Sequence, residues 1–188
     1  MDSIECAKRK VRATIAGSQV PEDPRHAENT LEWLLTLDPK AGQALQISAL
    51  AHDIDRAIAG QKVRRGDFDD YDAFKAAHAR NGAKILRTIL DECGVADHIQ
   101  DEACRLVERH EVGGDPSSDL LKDADSISSF DINMPFYYER EGWEETKRRC
   151  IWGYHRLSLR MKEVASGITF EDDTLTSLLA EAMREAHL

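Results

Sequence analysis

The chain has 188 residues, 35 acidic against 25 basic, with a formal net charge of −10 and a mean hydropathy of −0.51. That length fits one domain, its 41% apolar residues suffice for a core, and the acidic balance disfavours binding to a nucleic-acid backbone. No apolar run approaches the roughly 18 residues of a membrane span, and the first 20 residues lack the apolar stretch of a secretory signal.

Strand patterns are not evident, and the chain is expected to be all-α, a single domain of about eight helices. A first helix is predicted from about Ser3 to Ala16, stopping at Gly17. After Pro21 and Pro24 a second carries Leu31, Leu34 and Leu35 to the Asp38-Pro39 break. The third, from about Ala41 to Ala59, is apolar on most sides and should be the central, most buried one. A polar loop then leads to a helix from about Asp70 to Glu92, with Gly94 just past its end. Asp97 with Gln100 reads as a capping box for a fifth helix that runs to about Arg109. Ser117 or Ser118 can cap a sixth, which Asn133 and Pro135 end. A long helix from about Gly142 to Ala165 and a short one from Asp173 to Ala186 complete the chain. The four cysteines, Cys6, Cys93, Cys104 and Cys150, form no C-x-x-C pair. They are read as reduced thiols of a cytoplasmic protein, with no structural zinc site.

The chemistry concentrates on His52-Asp53, in the apolar run ALAHDIDRA. Histidine and carboxylate in such surroundings need compensation. A divalent metal supplies it, and so does a buried His–Asp pair bonded to the backbone. His26, His78, His110 and Asp125 fall on four other helices, each on or beside an apolar stripe. Singly, each reads better as a satisfied core or surface residue. Together they match a recurrent way for a helical core to hold two metal ions.

The ordered set His26, His52-Asp53, His78, His110, Asp125 resembles the HD-domain superfamily of metal-dependent phosphohydrolases, in particular its branch with an H…HD…H…H…D dinuclear site. The strings that carry the resemblance are RHAENTLEW, ALAHDIDRA, HARNGAKIL, VERHE and LKDADSI, over about residues 25–130. The resemblance implies an HD-type core of about residues 22–135 with a helical extension over about 136–188. It also implies that His26, His52, Asp53 and Asp125 hold one divalent ion, while His78 and His110 hold a second and Asp53 bridges both. The ion could be Mn, Fe, Ni, Co, Zn or Mg. Asp123 is the rival for the final carboxylate; the family's last motif usually reads Ala-Asp, which favours Asp125, and Asp123 would point about 200° away around the helix.

Two departures from the family matter. Many members have Gly-Lys two and three residues after the HD pair, where this chain has Asp55-Arg56. Arg56 lies one turn from the pair and could meet a substrate phosphate, or it could simply pair with Asp55 or another surface acid. The Gly-Tyr-Pro signature of cyclic-dinucleotide hydrolases is missing after Arg109-His110-Glu111. A second basic cluster, Lys147, Arg148, Arg149, Arg156, Arg160 and Lys162, is interleaved with Trp152 and Tyr154. It reads first as a solvated face, with Arg156 or Tyr154 as candidates to reach the pocket. His98, His155 and His187 fit no ligand spacing.

The expected function is metal-dependent hydrolysis of a phosphomonoester or phosphoanhydride of a small molecule, a nucleotide foremost, with Asp53 and Arg56 in the catalytic centre and Arg56 and Arg156 binding substrate. The same six ligands also fit a mixed-valent di-iron oxygenase of the inositol oxygenase type. A non-catalytic nucleotide-binding domain is the third reading. No membrane partner is expected, and a homodimer is compatible with the sequence.

Overall fold

Nine α-helices make up the computed structural model, which describes residues 2–187 and holds no strand among them. They are α1 (Ser3–Ile15), α2 (Asp23–Leu37), α3 (Gln43–Ala51), α4 (Tyr71–Glu92), α5 (Asp97–Arg109), α6 (Pro116–Ser128), α7 (Met134–Arg156), α8 (Leu159–Ala165) and α9 (Asp173–Glu185). No helix among the described residues is long and apolar enough to cross a membrane.

The third helix is central, as its all-round apolar character predicts: Leu45, Ile47, Ser48, Ala49, Leu50 and Ala51 are buried, and α1, α2, α5 and α6 surround it. Its polar Ser48 is accommodated by donating to the carbonyls of Ala44 (2.8 Å) and Ala103 (3.1 Å). Leu34, Ile47, Leu50, Leu86, Leu90, Leu106 and Leu121 fill one continuous core between α1 and α6. A second apolar cluster joins Ile127 and Phe130 to the inner faces of α7, α8 and α9, and Trp33 and Leu37 of α2 pack against both clusters.

Several local expectations need correction. The third helix does not reach Ala59: it ends at Ala51, and His52-Asp53 form a turn into a 3-10 helix over Ile54–Ala57. Asp53, at φ −104° and ψ 15°, is off the helical track, so the two side chains project from a turn and not from a helix flank. Asp97 does not cap α5: the N-cap is Ala96, and Gln100 instead donates to the Val95 carbonyl at 2.9 Å. The cap of α6 is Asp115, in a reciprocal box with Ser118. The preceding Gly113 and Gly114 have φ of 71° and 111°, and a Cβ at either would collide with Asp119 or Arg109. That tight return places the end of α5 beside α6.

Pro135 does not terminate a helix. A π turn over Ser129–Asn133 continues α6, and Pro135 sits in the first turn of α7, where its missing N–H costs nothing. The long helix expected from about Gly142 to Ala165 is two helices: α7 bends at Gly142 (φ 75°) and stops at Arg156, and Asp123 accepts from Ser158 N (2.9 Å) and Oγ (2.5 Å) at the start of α8.

The largest correction concerns the cysteines. Cys6 of α1 and Cys93 at the end of α4 form a disulfide, with Cα atoms 5.7 Å apart. A separation of 87 residues hid this pairing, because only the packing of α1 against α4 brings the two together. Such links persist in oxidising surroundings and are uncommon in reducing ones. Cys104 and Cys150 are free and buried, and burial pushes the Cys150 thiol up to about 12.

Candidate metal centre

Five elements converge on one buried cluster. His26 comes from the second turn of α2, His52 and Asp53 from the turn after α3, His78 from α4, His110 from the end of α5 and Asp125 from α6. All six residues are 8% exposed or less, so the helical core encloses their charges. α4 packs against the turn at Gly82, where a Cβ would be in ordinary van der Waals contact with Val107, the His52 carbonyl and Ile54.

The imidazoles share one orientation. His52 Nδ1 faces the Ala49 carbonyl at 2.9 Å and His110 Nδ1 faces the Val107 carbonyl at 2.7 Å, so both nitrogens donate. His78 Nδ1 donates to Asp55 Oδ2 at 2.9 Å. His26 Nδ1 meets Ser128 Oγ at 2.8 Å, and that hydroxyl gives its proton to the His26 carbonyl. In the neutral rings each Nε2 therefore points inward with a lone pair. Holding one ring nitrogen with an acceptor so that the other is free is how proteins prepare histidine for a metal.

The inward atoms form two groups, His26–His52–Asp125 and Asp53–His78–His110, each with its ligating atoms within 4.8 Å of one another. The Nε2 atoms of His26 and His52 are 3.0 Å apart, and Asp125 Oδ1 is 3.2 Å from the first and 3.5 Å from the second. In the other group His78 Nε2 is 2.9 Å from Asp53 Oδ1. Two ligand atoms about 2.1 Å from one ion stand roughly 3.0–3.4 Å apart in octahedral or tetrahedral shells. The separations therefore have the size of coordination edges, and lone pairs facing each other at these distances call for a shared positive charge. Asp53 spans the groups: Oδ1 faces His78, while Oδ2 lies 3.6 Å from His52 Nε2 and 3.8 Å from His26 Nε2. The residues present fit two divalent ions.

Electrostatics give the same reading. Burial opposes ionisation of Asp53 and Asp125, yet Arg56 and His52 hold the first, and His52 and His26 the second, well below the usual carboxylate range. Burial likewise opposes charging of His52, but Asp53 and Asp125 outweigh it and push its pKa up to about 9. This has a measurable consequence. A pKa raised above the ordinary 6.5 adds stability that is complete below pH 6.5 and lost as pH rises through about 9. Protein held in chelator should lose several degrees of Tm over that window, since each pKa unit is worth about 1.4 kcal/mol. A melting profile that stays flat would contradict the proximity of His52 to both carboxylates.

Arg56 does not pair with Asp55. Its Nη1 lies 2.8 Å from Asp53 Oδ2 and 3.4 Å from Asp23 Oδ1, at the mouth of the cluster. Asp55 instead orients His78 and accepts from Asn81. Arg156 also reaches the cluster: Nη2 is 3.2 Å from Asp125 Oδ2 and donates to the His110 carbonyl at 3.1 Å, and the guanidinium lies over Trp152. Tyr154 does not reach it, being buried against His187 (Oη to Nε2 2.7 Å). Asp123 faces Ser158, away from the histidines, and so is not the final carboxylate of the cluster. Of the basic helix face, Lys147 pairs with Glu181 and Glu185, while Arg149 joins Arg156 in lining the cavity above the cluster.

That cavity has a volume of about 290 Å³. Asp53, Asp125 and Glu111 lie on its wall beside Arg56, Lys75 and Arg156, and the remainder includes Phe130, Met134 and Tyr137. Two wall residues escaped the sequence reading. Glu111 is 6% exposed in its side chain and lies between His110 and Lys75, and its carboxyl is depressed because these neighbours and Arg156 outweigh burial. Its signal was its place directly after His110. That of Lys75 was its position one helical turn before His78.

A family model described as a domain of unknown function, DUF4202, matches residues 5–177. The chain belongs to the DUF4202 family. No curated protein and no solved structure matches it. The matched span of this DUF4202 chain includes all six converging residues, Arg56 and Arg156.

Proposed function

We propose that this protein is a metal-dependent phosphohydrolase of the HD-domain type, acting on a phosphomonoester or phosphoanhydride of a small molecule, with a nucleotide as the foremost candidate. The observation that carries the reading is the sharing of Asp53 between two preorganised histidine–carboxylate groups beneath a cavity edged with cations. His26, His52 and Asp125 would hold one ion, His78 and His110 the other, and Asp53 both. Two such ions supply an activated water and offset phosphoryl charge.

The protein's own groups account for the rest. Arg56 and Arg156 lie at the carboxylates where a bound phosphoryl oxygen would also sit, and their guanidinium planes suit bidentate contact with it. Asp55 and Ser128 keep His78 and His26 in the ligating tautomer. The cavity is near the lower end of the roughly 300–1,000 Å³ typical of small-molecule sites. Its volume supports a compact substrate, and Phe130, Met134 and Tyr137 offer apolar surface for the organic portion.

Phosphate release from a panel of nucleotides and sugar phosphates, with Mn²⁺ or Co²⁺ supplied, tests the reading. Arg56→Met should retain metal and raise KM for the accepted substrate by about tenfold or more, the scale of one lost charge-assisted contact. If KM is unchanged, Arg56 is not a phosphate ligand. Iron-dependent uptake of dioxygen without phosphate release would transfer the same ligands to oxygenase chemistry.

A further inference from the structure

The carboxylate of Glu111 is enclosed, and neither oxygen makes a hydrogen bond of good geometry. Three groups surround it. Lys75 Nζ is paired with Oε1, Arg156 Nη2 lies 3.3 Å from Oε2, and His110 Nε2 lies 3.0 Å from Oε1. The last contact is the informative one. Because His110 Nδ1 donates to the Val107 carbonyl, its Nε2 turns a lone pair toward a carboxylate oxygen, and it too has no hydrogen-bond partner. With the ring neutral, two acceptors at that separation repel unless a cation, either a proton or a metal ion, is shared between them. The 3.0 Å spacing is again that of adjacent ligands on one ion with bonds of about 2.1 Å.

We propose that Glu111 is a seventh protein ligand, binding the same ion as Asp53, His78 and His110. This rests on the two-ion reading of the cluster and deepens it. With Asp53 shared, the six residues give four protein ligands to one ion and three to the other, and Glu111 makes the shells equal. Lys75 then competes with the ion for Oε1. An ordinary ion pair between Glu111 and Lys75 would have no such consequence, and the two roles predict opposite effects of removing the lysine.

The test is titration of the full chain with Co²⁺, followed by calorimetry and by the visible absorption of bound cobalt. Wild-type protein should bind two ions. Glu111→Gln should keep one within about threefold of wild-type affinity, weaken the other about 10–100-fold, and alter the cobalt spectrum of that ion alone. Lys75→Met should bind the second ion at least as tightly as wild type. Glu111→Asp, which keeps the charge on a shorter arm, should fall between wild type and Glu111→Gln and covers the case in which the glutamine variant fails to fold. Two ions held at wild-type affinity by Glu111→Gln would overturn the assignment while leaving the dinuclear site intact. So would equal weakening by Lys75→Met. Fewer than two ions on wild-type protein would overturn the dinuclear reading and this assignment with it.

Discussion

Asp53→Ala is expected to abolish binding of both ions and to reduce phosphate release by on the order of 10³-fold or more. No other side chain in the cluster faces both groups: one Asp53 oxygen is 2.9 Å from His78 Nε2, and the other lies toward His52, His26 and Arg56. Replacing any single histidine should instead impair one ion more than the other. Asp53 also compensates the half-buried Arg56, so removing it leaves that charge without its partner and lowers stability as well. Asp53→Asn, which keeps the shape, is therefore measured in parallel, with thermal unfolding recorded for both. Asp123→Ala is the control. Its carboxylate binds Ser158 and not the histidines, so it should keep both ions. Full metal content in the Asp53 variants would sink the assignment.

The second large effect is on stability. Cys6→Ser should lower stability by about 2–5 kcal/mol, the range for loss of a disulfide closing a long loop. At about 2–4 °C per kcal/mol for a chain of this size, Tm should fall by roughly 4–20 °C. Dithiothreitol should lower the Tm of wild-type protein similarly and leave Cys6→Ser unaffected. Metal binding should survive, because Cys93 lies fifteen residues beyond His78 along α4, about 22 Å away. Equal Tm values for oxidised wild type and Cys6→Ser would show that the link does not form in solution.

What the sequence made legible follows from what periodicity can carry. The all-α class and the central place of α3 are written in the spacing of apolar residues, and the structure has both. The Ala-Asp string of the family resemblance favoured Asp125 over Asp123, which points about 200° away around the helix, and Asp125 is the one in the cluster. Contacts between residues distant in sequence were not legible. The Cys6–Cys93 link, the capture of Arg56 by Asp53 and Asp23, and the stacking of Arg156 on Trp152 above Asp125 all depend on how helices pack. Helix ends were misread where side chains chose the cap. Asp115 outcompetes Ser117 and Ser118 because its carboxylate accepts from both of their amides and is held by Arg105. Asp55 looked like a partner for its neighbour Arg56, yet it turns toward His78 and fixes that ring.

Phosphate release measured as a function of metal loading tests the central claim most directly. Chelator-stripped protein, titrated with Mn²⁺ or Co²⁺ against an accepted phosphomonoester, should stay inactive at low loading and reach full turnover as a second ion per chain is bound. Binding of two ions with no phosphate released from any phosphomonoester or phosphoanhydride would contradict it.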